Sequence, residues 1–165
     1  MRIVDQRPIA TLALNGTELP MRVDSGALFS MSRASAAAPL NQPLRRLPTG
    51  FRIDGYTGRV EAQQTTVERL GLLGAELRDI DFIVGGNALG AGIVGMPGRN
   101  FLSATDTEYE LAHGELRLIA PKGDCDQTNL ACWAGEAPVI AVPLDAEARG
   151  RADKAIRVEV VVNGA

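Results

Sequence analysis

Asn15-Gly16 sits between two apolar segments, Ile9-Ala10-Thr11-Leu12-Ala13-Leu14 and the stretch from Glu18 to Val23. No other local feature constrains the fold of this chain as strongly. Both residues of an Asn-Gly pair accept positive φ, and a two-residue hairpin turn matched to strand twist requires that. The flanking segments therefore read as antiparallel strands. The second strand ends in Met21-Arg22-Val23-Asp24-Ser25-Gly26-Ala27-Leu28, which puts the Asp24 carboxylate where a buried sheet becomes a loop.

Further apolar runs cover residues 60–67, 80–84, 92–96, 108–111 and 115–119. They are short and bounded by Gly, Pro or Asn, which is strand behaviour. Gly71-Leu72-Leu73-Gly74-Ala75-Glu76-Leu77 reads as another tight hairpin. Phe51-Arg52-Ile53-Asp54-Gly55-Tyr56-Thr57-Gly58-Arg59-Val60 is a hairpin with glycines at its tip. Residues 28–38 begin as a strand and finish as a short helix before Pro39, and Pro39, Pro43 and Pro48 mark an extended surface segment. With 18 glycines, 9 prolines and 4% aromatics, the composition favours short strands and tight turns over a helical bundle. The expected class is all-β with little helix.

A formal charge of −3 with scattered arginines argues against a nucleic-acid or anionic-membrane partner, which would need a basic stripe. No apolar run is long enough to span a bilayer. Met1 is followed by no apolar h-region, so no signal peptide is read there, as would also hold for a mature fragment. Gly90-Ala91-Gly92-Ile93-Val94-Gly95 satisfies G-x-G-x-x-G, but Met96-Pro97-Gly98 would break the helix that a dinucleotide site needs. No Gly-Lys-Ser/Thr is present for a phosphate loop. The single histidine, His113, lies beside Gly114 and reads as a turn residue. No metal site and no cofactor are expected.

Asp24-Ser25-Gly26-Ala27 after a strand, with Gly92-Ile93-Val94-Gly95-Met96 and Asn100-Phe101-Leu102 downstream, resembles the retropepsin-like, pepsin-related aspartic protease superfamily. The resemblance runs from about residue 9 to residue 119. It implies one acid-protease lobe over residues 1–120, a closed or partly open β-barrel with a ψ-shaped crossing and a flap hairpin. The Gly-Ile-Val-Gly segment would cross beneath the Asp loop, and a later strand, from the hairpin at residues 107–118, would close the crossing. Asp24 would be catalytic, Ser25 would hydrogen-bond within its loop and brace the partner loop, and Gly26 would let backbone approach the carboxylates. The 51–60 hairpin would be the flap over substrate, with Ala27, Tyr56, Thr57 and Gly58 as substrate-contacting positions. The implied activity is an aspartic endopeptidase acting on proteins or peptides.

Such enzymes hold a water between two carboxylates that share one proton. Asp24 is the chain's sole Asp in a D-S/T-G pattern. The second carboxylate is expected from a homodimer mate or from a missing C-terminal lobe, and a lone monomer should be inactive. The alternatives are a non-catalytic peptide-binding domain on the same fold and a structural β domain.

Cys125 and Cys132 bracket a short polar loop. They read as a local disulfide, hence as a sign of an extracytoplasmic (periplasmic or secreted) site, with two free thiols as the alternative. The segment from Ile156 to Gly164 echoes that from Ile9 to Gly16, both being apolar strands ending in Asn-Gly. Duplication would make residues 156–165 the opening strand of a second lobe and residues 121–155 the connection; coincidence between two common strand-turn segments is the other reading.

Overall fold

The computed structural model of the chain describes residues 1–37, 43–55, 58–85, 89, 92–120, 122, 131, 134–142, 158 and 161–162. Two compact units divide the sequence, Met1–Ala120 and Pro121–Ala165. Every helix and strand assigned among the described residues lies in the first. In the second, Ala134 N donates to Ala131 O and Ala137 N to Ala134 O, and Val139, Ile140 and Val142 are exposed.

Among the described residues the first unit has twelve strands and two single-turn helices. In order they are β1 (Arg2–Val4), β2 (Arg7–Leu14), β3 (Thr17–Arg22), β4 (Ser30–Ser32), α1 (Ala34–Ala37), β5 (Arg45–Arg46), β6 (Asp54–Gly55), β7 (Gly58–Arg59), β8 (Ala62–Leu72), β9 (Ala75–Gly85), β10 (Gly95–Met96), α2 (Arg99–Leu102), β11 (Asp106–Glu110) and β12 (Glu115–Ile119). The main sheet runs β1-β2-β3-β10-β4-β9-β8-β5, and β2 also pairs with β8. That extra pairing closes β2, β3, β10, β4, β9 and β8 into a six-stranded barrel, so the all-β expectation holds.

Turn chemistry sets the hairpins. Asn15 and Gly16 hold φ of +50° and +88°, and Leu14 pairs with Thr17 across them. Leu73 and Gly74 repeat the conformation at +52° and +84° between β8 and β9. The side chain of Asn15 also accepts from Arg69 N at 2.9 Å, while its own amide donates to Arg69 O at 2.8 Å. One residue thereby forms the first hairpin and ties it to β8, beside the β2–β8 seam.

The core follows strand alternation. Ala10, Leu12 and Leu14 of β2 point inward against Met21, Val67, Leu70, Leu72 and Phe82. Along β8 the buried positions shift phase, from Thr65 and Val67 to Leu70 and Leu72. Across from this shift Asp79 holds φ of +54°, and the ladder skips the Glu68–Asp79 pair. Beyond the irregularity β8 stays paired with β9 and also pairs with β2, Leu70 and Gly71 opposite Leu14 and Ala13.

Three elements were not anticipated from local pattern: β1, β5 and α2. The turn before β2 uses Asp5 and Gln6 at φ of +48° and +61°, without a glycine to announce it. The expected ψ-shaped crossing is present but is built differently at its far end. It is β10 that lies between β3 and β4, parallel to the first at Gly95–Met21 and antiparallel to the second at Gly95–Ser32. The later hairpin, β11–β12, forms a two-stranded sheet of its own. It reaches the barrel through side chains, Leu116 in the core with Tyr109 and Leu118 packed against it. Its turn carries His113, paired with Glu110 at 3.2 Å, and Gly114 at φ of +69°.

Candidate active site

The loop from Val23 to Phe29 joins β3 to β4, and those strands are separated by β10, so the loop must pass over β10. Glycine is needed where the chains cross. A Cβ on Gly95 would overlap Met21 Cε and the carbonyl oxygen of Met31, and one on Gly98 would overlap the backbone of Phe29. Within the Gly-Ile-Val-Gly segment it is Gly95 that the crossing leaves no room to replace.

Alternation along β3 sends Met21 and Val23 into the core and leaves Arg22 and Asp24 on the opposite side. Asp24 sits at the mouth of the loop with its side chain 34% exposed. Its Oδ1 accepts from Gly26 N at 3.0 Å and its carbonyl accepts from Ala27 N at 3.2 Å, a tight turn that fixes the carboxylate. A Cβ on Gly26 would stand 3.3 Å from that Oδ1, closer than most side chains tolerate. Asp24 Oδ2 accepts from Arg22 Nη2 at 3.2 Å.

The far end of the loop is held by a polar network. Asn100 Oδ1 accepts from Ser30 N at 2.7 Å and from Ser30 Oγ at 2.8 Å. Ser30 Oγ accepts in turn from Gly98 N at 3.0 Å, and Asn100 Nδ2 donates to Asp81 O at 2.7 Å. The amides of Arg99 and Asn100 donate to the carbonyls of Ala27 and Leu28 at 2.8 and 3.3 Å. The turn of α2 thus grips the Asp loop through main chain and side chain together.

Of the residues singled out from sequence, Asp24, Ser25 and Gly26 are brought together in one turn, the last two exposed. Ala27 is half-buried, packed against the small cluster of Ile9, Leu89, Ile93 and Met96. Gly58 lies on β7 at φ of +108°, paired with Gly55 in the expected hairpin. That hairpin's base is tied to the Asp loop, because the rings of Phe51 and Phe29 meet edge-on with centroids 5.4 Å apart. Tyr56 and Thr57, and the cysteines Cys125 and Cys132, lie outside the described residues.

Arg22, Ser30, Asn100 and Tyr109 complete the site and were not singled out as site residues. The Tyr109 hydroxyl is buried, with the Ser25 hydroxyl as its polar neighbour. Burial pushes the phenol above its ordinary value; the Ser25 hydroxyl pulls it partly back, and the Asp24 carboxylate adds to the rise. Strand parity alone would have placed Arg22 next to Asp24. Nothing local could have brought Tyr109 there.

The sequence model of the gag-polyprotein putative aspartyl protease family matches residues 10–103. The chain belongs to this family. Membership places it among the aspartic proteases, which are hydrolases, and the matched span holds the Asp24 loop, the crossing at Gly95 and the Asn100 clamp. Tyr109 falls beyond it. A retropepsin-like aspartic protease from Rickettsia conorii is similar in fold, with TM-score 0.52 and 21% identity over 66% of this chain and 88% of that one. The EIAV protease complexed with the inhibitor HBY-793 aligns at TM-score 0.49 and 24% identity, over 62% of this chain and 91% of that one. No curated protein sequence matches the chain.

Proposed function

We propose that this chain is half of an aspartic endopeptidase and that Asp24 supplies one carboxylate of its catalytic pair. The observation that carries the proposal is the Asp24 turn itself. A half-exposed carboxylate at a strand end, braced by Gly26 N and set above a glycine crossing, is built to face something outside its own chain. Two such carboxylates brought close cannot both ionise cheaply, so they share one proton. The ionised member takes a proton from the bound water, whose oxygen attacks the scissile carbonyl. The protonated member donates its proton to the carbonyl oxygen. Collapse of the tetrahedral intermediate breaks the C–N bond, with a proton passing to the leaving nitrogen. Ser25, exposed at the turn, is placed to bond across to the partner loop, and the 51–60 hairpin is the lid over the bound peptide.

Asp24 is the chain's single Asp of this pattern. Its mate therefore comes from a second copy or from a second lobe, and the isolated monomer is inactive. Incubating the purified chain with an unfolded protein from acid to neutral pH, beside Asp24→Asn, tests the assignment. Cleavage lost in the variant supports a working homodimer; turnover retained by Asp24→Asn removes the assignment. A chain silent at every concentration would mean that the second carboxylate is not supplied by a second copy.

The extracytoplasmic location is part of the same reading and rests on Cys125 and Cys132 closing a short polar loop as a disulfide. Intact mass after alkylation, with and without prior reduction, checks it. Two thiols alkylated without reduction would remove the argument for an oxidising compartment.

A further inference from the structure

Arg22 shares the face of β3 from which Asp24 projects, and its guanidinium lies against the carboxylate. Nη2 donates to Asp24 Oδ2 at 3.2 Å and contacts the Met96 thioether at 3.5 Å. Nε is buried with no partner among the described residues. The Arg22 side chain is 18% exposed, and its Nη2 lies against the partly exposed Asp24 carboxylate. A guanidinium carries five donors in a planar fork and pairs best with a carboxylate through two parallel bonds. Asp24 gives it one bond, because the other oxygen is committed to Gly26 N. The arginine is thus incompletely satisfied, and it covers an oxygen that the reaction needs.

Charge at the assembled site runs the same way. In the two-carboxylate centre of the proposed function, a pair of Asp24 side chains sharing one proton carries a single negative charge. Two Arg22 guanidiniums accompany it in a homodimer and leave the floor of the cleft positive.

We propose that Arg22 determines substrate specificity by binding an acidic side chain on a residue flanking the scissile bond, which releases Asp24 Oδ2 to the catalytic pair. The proposal rests on the protease reading and deepens it. A carboxylate on the substrate competes with Asp24 for the guanidinium and offers the two-point contact that Asp24 does not. A glutamine of the same shape leaves the arginine on Asp24. A site that hydrogen-bonds a substrate group discriminates strongly against an analogue lacking it; for this partly exposed pair the expected factor is at least about tenfold.

The test uses peptides whose scissile bond is replaced by a non-hydrolysable hydroxyethylene group, with Glu, Gln or Leu flanking it. They are titrated calorimetrically into the wild-type chain, Arg22→Met and Arg22→Lys. The Glu peptide should bind wild type at least about tenfold more tightly than the Gln peptide. The ratio should fall to about one in Arg22→Met and be partly kept in Arg22→Lys. Equal affinities in wild type, binding of none of the peptides, or a Glu preference that survives in Arg22→Met would each overturn the proposal. If Arg22→Met does not fold, the wild-type Glu/Gln ratio and Arg22→Gln decide. Because the readout is binding, the two readings fail separately: hydrolysis without a Glu preference sinks the specificity, and a Glu preference without Asp24-dependent hydrolysis sinks the protease.

Discussion

At the scale of single residues, the site is a set of polar groups whose partners lie far off in sequence. Asn100 meets Ser30 and Asp81, and Ser30 is fully buried. Replacing Asn100 by Ala strands the Ser30 amide and hydroxyl without an acceptor, which should cost about 2–3 kcal/mol by chemical denaturation. Tyr109 poses a different case, a buried hydroxyl whose polar neighbour is Ser25. Its raised value means that the folded chain holds the phenolic proton more tightly than the unfolded chain does. Its contribution to stability is therefore whole below a pH of about 10, the ordinary tyrosine value, and is lost as pH rises through the higher folded value. Tyr109→Phe should lose less stability than wild type above about pH 10. A thermal-unfolding series in pH checks this; an unchanged alkaline slope would show that the phenol is not the group responsible.

At the scale of elements, what was legible in the sequence was what is local. The Asn15-Gly16 turn, the alternation of β2, the hairpin between β8 and β9, the short helix after β4 and the Asp24 turn all announce themselves within a few residues. The turn at Asp5-Gln6 adopts the same left-handed geometry without a glycine, so β1 went unread. β5 is two residues long, and its pairing with Gln63 and Gln64 exists only once the barrel is closed. α2 is a single turn, gripped by the Asp loop that it holds. Arg22 beside Asp24 was within reach of a parity argument, whereas Tyr109 arrives from a hairpin outside the barrel. Leu73 gives this scale its own test. It is 60% exposed and holds φ of +52°, a conformation that disfavours a γ-branched side chain but suits Asn. Leu73→Asn should stabilise the β8–β9 hairpin by about 1 kcal/mol. A loss of stability in the denaturation midpoint would mean that the leucine contributes packing that its exposure hides.

At the scale of the whole molecule, the barrel explains how one carboxylate comes to be so well placed. The closed sheet fixes β3 and β4, the crossing by β10 fixes the loop between them, and the loop presents Asp24 outward. Asp24 is the one Asp of this pattern in the sequence, so under the proposed function activity would belong to an assembly. The most direct measurement is the rate of peptide hydrolysis as a function of chain concentration, for wild type and Asp24→Asn side by side. The account predicts a rate that rises with the square of concentration while subunits are mostly apart, and no hydrolysis by the variant. Hydrolysis proportional to concentration down to the dilute limit, or undiminished in Asp24→Asn, would contradict it.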